Sequence, residues 1–257
     1  MRPEAARSGV LLLAALVVGA GCASGGGTRA DREATSPVAQ RAINMAKVHL
    51  DRGEPTRALG EAESAVASDP HSALARVVLG TALEALDRRD EAGRAFHRAA
   101  ELAPANGTVL NAHGAFLCRN GETDAAMAAF LKATADPAYR EPEQALANAG
   151  SCAADAGRKD VAELNFRAAL TLEPRLPQAL VGMAKLEHQR GDALGARAFL
   201  QRREALGALG AGELALAIEI ETAAGDTRAA ARYRSALATM AEQAGATRPA
   251  DPGSRMQ

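Results

Sequence analysis

The side chains of this chain most able to do chemistry are three cysteines, Cys22, Cys118 and Cys152, and five histidines, His49, His71, His97, His113 and His188. His113 stands five residues before Cys118, and a cysteine near a histidine is the minimal kit for an activated thiolate nucleophile. Yet none of the histidines has a second ligand at zinc-binding spacing. No glycine loop is built to cradle phosphate, no nucleophile elbow is present, and no pair of carboxylates is clustered. His113 also falls where the surrounding pattern places a large packing residue. The expectation is a protein that is not an enzyme, with no catalytic residue, metal, cofactor or small-molecule substrate. Charged residues make up 24% of the chain, net charge is -1, and the basic residues are spread among acidic ones. Nucleic acid is therefore not an expected partner, because phosphate binding needs a concentrated basic footprint.

The elements that must position these residues are read from an internal repeat. An alanine recurs at Ala58, Ala92, Ala126, Ala162, Ala196 and Ala230, in steps of 34, 34, 36, 34 and 34 residues. Five residues before each stands a turn residue: Gly53, Gly121, Gly157, Gly191 and Gly225, with Asp87 in the remaining slot. Glycine there tolerates a left-handed backbone. Prolines close three units at Pro70, Pro104 and Pro174. In the second unit Leu79, Gly80 and Leu83, and then Ala92, Phe96 and Ala99, fall three and four residues apart. That spacing puts them on one face of each of two helices.

The unit resembles the tetratricopeptide repeat, whose small residues let two helices approach and whose large ones fill the gap between units. Gly114 and Gly150 repeat the small position of Gly80, and Phe130 and Phe166 repeat the wedge position of Phe96. Leu200 and Arg234 hold that place in the fifth and sixth units, a divergence expected of a solenoid cap. The resemblance implies an all-α, right-handed superhelix of about six helix-turn-helix repeats over residues 39–242, with first helices lining a concave groove. In this register the groove is expected to present Lys47, Leu50, Leu74, Val77, Thr81, Glu84, Asn111, Ala115, Arg119 and Ser151 to a protein partner, chiefly on the first three units.

Cys118 and Cys152 take positions 12 and 10 of the third and fourth units. They lie on first helices that are neighbours in such a stack, so a disulfide is expected, with two buried thiols as the alternative. The step of 36 places two extra residues between those units, in a connector holding Pro137, Tyr139 and Pro142. A covalent tie would hold the register there.

The N-terminus carries Arg2 and Arg7 before an apolar run from Val10 to Val18, then Gly19, Ala20 and Gly21 before Cys22. The run is too short for a permanent membrane span, which needs about 20 apolar residues, so it reads as a signal peptide. Small residues before a cysteine resemble the lipobox of bacterial lipoproteins, although Gly19 stands where Leu is usual. The expectation is a signal over residues 1–21, lipidation at Cys22, a flexible linker over 22–38 and a disordered tail over 243–257. Ala23, where an Asp resembles an inner-membrane retention signal, favours the periplasmic side of the outer membrane.

A more specific resemblance follows from the order of three motifs. "GAFLC" at Gly114 to Cys118, the connector with Pro137, Tyr139 and Pro142, and "NAGSCA" at Asn148 to Ala153 resemble the type IV pilus biogenesis and stability lipoproteins, the secretin pilotins. His113 departs from that pattern, where Tyr is more frequent. The resemblance implies an outer-membrane lipoprotein that binds secretin subunits and promotes their localisation and multimerisation. A general scaffold or adaptor lipoprotein in envelope assembly or cell-wall synthesis is the alternative.

Overall fold

The computed structural model describes residues 35–246. Twelve α-helices follow one another in antiparallel pairs, with no strand among the described residues. The pairs are α1 (Pro37–Asp51) with α2 (Pro55–Ser68), α3 (Ala73–Ala85) with α4 (Arg89–Leu102), and α5 (Gly107–Arg119) with α6 (Thr123–Thr134). The second half continues with α7 (Pro142–Asp155) and α8 (Lys159–Leu172), α9 (Pro177–Gln189) and α10 (Ala193–Glu204), and α11 (Ala211–Ala223) and α12 (Thr227–Ala246). Each pair is one repeat, and the six stack into a tetratricopeptide superhelix.

The turn inside each repeat is written in the sequence. All six turn residues have positive φ, from Asp87 at 56° to Gly191 at 84°. The residue after each donates its N–H five residues back, from Glu54 to His49, Arg88 to Leu83, Glu122 to Leu117, Arg158 to Ala153, Asp192 to Glu187 and Asp226 to Glu221. This is the left-handed helix termination that satisfies a carbonyl the helix leaves open. At the other helix ends Ser36, Ser72, Asn106 and Asp192 accept from backbone N–H groups of the first turn, and Pro37, Pro55, Pro142 and Pro177 open their helices.

Packing between helices follows the small-and-wedge pattern. A Cβ added at Gly80 would stand 2.8 Å from the Phe96 ring, one at Gly114 2.9 Å from Phe130, and one at Gly150 2.7 Å from Phe166. Each ring fills the notch left by the missing side chain, and all three phenylalanines are buried. Leu200 is buried in the fifth unit, while Arg234 is exposed in the sixth, where no described unit follows to cover that face.

The repeat domain is longer at both ends than the sequence reading. Ser36 caps α1, so Pro37 and Val38, expected in the linker, are helical. The last helix runs to Ala246, past the expected start of the tail at 243, since no glycine or proline breaks it before Gly245 and the helix tolerates that one. The signal region, Cys22 and residues 247–257 lie outside the described residues.

The long connector has its own packing. Tyr139 is buried in a cluster with Leu110, Ala133 and Ala145. A Cβ on Gly107 would come within 2.5 Å of Tyr139, and the Gly107 N–H donates to Asp136 at 2.7 Å. The two additional residues thus carry an aromatic ring back over the start of α5, and the glycine makes room for it.

Candidate functional site

Side chains on the first helices face the inside of the curve, and a line of them is tied together by hydrogen bonds across units three to five. Asn148 donates to Asn111 at 3.0 Å, Gln178 donates to Asn148 at 2.9 Å and to Ser151 at 3.3 Å, and Gln144 donates to Gln178. Primary amides suit this role, since each carries donors and an acceptor and can pass the pattern to the next unit. Burial pushes the Tyr139 hydroxyl up to about 12, Glu141 and Glu143 add to the rise, and a hydrogen bond with Asn111 opposes it.

The cavities of the concave side lie further along. One of about 380 Å³ is lined by Ser151, Asp155, Gln178, Val181, Lys185, Gln189 and Glu213, with Leu186 and the edge of Phe166 behind them. A second shares Asp155, Lys185 and Gln189 and extends to His188, Ala215, Leu216 and Glu219. Together they form a groove over units four to six with an apolar floor and polar walls. Glu213 is held by both sides of the Arg203 guanidinium, at 2.8 and 2.9 Å, and Glu219 faces His188 at 3.7 Å. Asp155 and Lys185 engage no other described residue, so one carboxylate and one ammonium stand open in the same groove.

The ten residues expected to line the groove are divided by the structure. Asn111 and Ser151 sit in or beside the amide ladder. Glu84 and Arg119 are brought together, in a two-point ion pair of 2.6 and 2.7 Å that joins unit two to unit three. Thr81 is exposed and returns its hydroxyl to the Val77 carbonyl, and Lys47 is exposed. Ala115 packs beside Cys118. Leu50, Leu74 and Val77 are half-buried, each with one side against the helix packing. Leu50 packs into the first core cluster, Leu74 touches that cluster and the one around Val109, and Val77 touches the clusters around Phe96 and Val109. A β-branched or leucine side chain beside an alanine-rich interface reaches a core that alanine alone leaves underfilled.

Cys118 and Cys152 face each other across α5 and α7, with Cα atoms 5.7 Å apart and the sulfurs joined. His113 is half-buried and lies edge-on to His97, with ring centroids 6.2 Å apart. Burial, then the charge of His97, hold its pKa below the ordinary histidine value. Among the described residues no three metal-ligating side chains converge.

Sequence reasoning missed Asn148, Gln178, Asp155 and Lys185. A signal for them existed. Lys185 occupies the repeat position of Thr81, Ala115 and Ser151, and Gln178 that of Leu74. Asp155, in the fourth unit, occupies the repeat position of Arg119.

A superhelix of six such repeats with a mixed polar and apolar groove defines a tetratricopeptide-repeat protein. Comparison with solved structures is more particular. The chain is similar to PilW, described as a widely conserved type IV pilus biogenesis factor, at 29% identity and a TM-score of 0.71, over 79% of this chain and 94% of that one. It is similar to PilF of Pseudomonas aeruginosa at 24% identity and a TM-score of 0.68, over 79% of this chain and 91% of that one. A chain of the APC/C Cut9–Hcn1 assembly shares the fold alone, at 16% identity and a TM-score of 0.67, over 76% of this chain and 38% of that one. No protein-family model matches the chain, and no curated protein does. The likeness to PilF and to the Cut9 chain shows the fold, and the similarity to PilW supports a tetratricopeptide-repeat protein of type IV pilus biogenesis.

Proposed function

We propose that this protein is a lipid-anchored pilotin: it binds subunits of the pilus secretin through the concave groove and promotes their localisation to, and multimerisation in, the outer membrane. The observation that carries the reading is the similarity to PilW, which extends over nearly the whole of that chain. The motif order from Gly114 to Ala153 and the lipobox-like residues before Cys22 point the same way. The division of labour is physical. A lipid on Cys22 supplies the membrane address, the segment after it supplies reach, and the groove supplies recognition. Recognition is assigned to units four to six rather than the first three, because Asp155 and Lys185 are open there while Glu84 and Arg119 satisfy each other. An extended segment fits, with an apolar side chain against Val181, a basic one toward Asp155 and an acidic one toward Lys185.

The test is capture from native membranes with the lipidated protein as bait. The expected result is co-purification of multimeric secretin, lost with Asp155→Lys/Lys185→Glu while the variant stays at the outer membrane. Assembly of secretin and pili in cells lacking the protein would remove the pilotin reading.

A further inference from the structure

The outer side of α1 is apolar at positions that later units use for stacking. Val48 corresponds to Ala82, Phe116, Cys152, Leu186 and Ile220, all buried against the preceding unit. Met45 corresponds to Leu79 and His113, which are half-buried, and to Ala149, Met183 and Ala217, which are buried. In α1 no described unit precedes them, and Val38, Met45 and Val48 are 59%, 46% and 38% exposed. An end unit in a solenoid ordinarily presents a polar outer face. Here the polar groups on that face are arginines. Arg41 takes a place held by buried Ala75, Val109, Ala145 and Ala179 in units two to five and by half-buried Glu213 in unit six, and Arg52 falls on the same side by helical spacing. Neither guanidinium engages another described residue, and Asp51, the helix's acidic residue, falls toward a different side.

We infer that this face of α1 rests on an anionic phospholipid surface. The inference rests on the lipoprotein reading of Cys22. Thirteen residue steps separate Cys22 from Thr35, a reach of at most about 45 Å even fully extended. The Ser36 N–H donates to Asp69 at 2.9 Å and the Thr35 hydroxyl meets that of Ser72 at 2.8 Å, so the described chain is fixed to the fold one residue before α1 begins. The described chain therefore leaves from the N-terminal end of α1, the helix that carries this face. Apolar side chains flanked by arginines are the pattern of a helix lying at a lipid interface, where valine and methionine enter the headgroup boundary and guanidinium groups meet phosphates. A second copy is a poorer occupant. Two such faces pressed together would oppose arginines with no carboxylate between them.

The contact fixes how the molecule stands. With α1 against the bilayer, the stack leads away from it and carries units four to six to its far end.

The test uses the mature chain with Cys22→Ala, so that membrane binding reports the face and not the lipid. Sedimentation with phosphatidylethanolamine vesicles is compared with and without phosphatidylglycerol. The expected result is binding that needs phosphatidylglycerol and weakens with salt, and that falls about fivefold for each arginine removed in Arg41→Gln and Arg52→Gln, with helical content unchanged. No binding to the anionic vesicles, or equal binding by the double variant, overturns the inference. Dimerisation in solution that the Met45→Ser/Val48→Ser variant abolishes would give the face to a second copy instead. Mass spectrometry of the wild-type protein from native membranes separates the readings: absence of acyl chains on Cys22 defeats the lipoprotein reading without deciding the vesicle result.

Discussion

The two halves of the superhelix are built from the same repeat and use their concave faces differently. In units one to three, Leu50, Leu74 and Val77 are drawn into the helix packing and Glu84 with Arg119 closes a gap between neighbours. In units four to six the corresponding line of residues opens into connected cavities with Asp155 and Lys185 free. The repeat pattern places a side chain on the inner face, and the packing then decides whether it faces a partner or a neighbour. Between the halves lies a joint made of the Cys118 and Cys152 pair, the buried Tyr139 and the amide ladder.

The largest effect that would break this comparison is Leu74→Asp/Val77→Asp, which puts two carboxylates among packed apolar groups. We expect a loss of about 2 to 4 kcal/mol, read in denaturant unfolding, because apolar contacts are lost and two carboxylates are partly desolvated. Asp155→Lys/Lys185→Glu, by contrast, should stay within about 0.5 kcal/mol of wild type, since neither group is paired. Equal stability of the two double variants would show the halves to be alike.

The joint is tested next. Cys118→Ala/Cys152→Ala should cost about 2 to 4 kcal/mol through loss of the bridge between neighbouring units. Denatured, unreduced protein should then resist thiol alkylation at both positions. Labelling of both without reductant would mean that the joint is held by Tyr139 and the ladder alone.

A smaller change sharpens the role of wedge packing. Gly182→Ala would place a Cβ 2.3 Å from the Phe166 ring. It should cost about 1 to 3 kcal/mol through overpacking. Gly60→Ala, in α2 with nothing within 4 Å, should instead gain about 0.5 to 1 kcal/mol through helix propensity. A gain at both positions would mean the ring moves freely, and the notch is not what sets the spacing.

The smallest effect is a pH dependence in the first half. His113 has a folded pKa below its unfolded one, so the unfolded chain takes up the proton more readily. Its contribution is present above the unfolded histidine value and is lost as pH falls through that value toward the lowered one. Stability should decline on acidification, and His113→Tyr should remove that part of the slope. An unchanged slope would place the dependence elsewhere.

The sequence by itself determined the repeat. Steps of 34 and 36, six left-handed turn positions and glycines opposite phenylalanines are local or nearest-neighbour constraints, and each appears in the structure where the spacing put it. The connector was legible as longer, but its purpose was not: Tyr139 and Gly107 are 32 residues apart in sequence and meet only because α5 and the connector share an end of the stack. The groove was legible as a set of positions, yet its occupancy was not. Whether Glu84 reaches Arg119, whether Gln178 reaches Asn148, and whether Leu74 faces outward or into its neighbours depend on the angle at which one unit sits on the next. That angle is a sum of many small packing contacts across units. It exists only in the tertiary structure, and it leaves Asp155 and Lys185 open while satisfying Glu84 and Arg119.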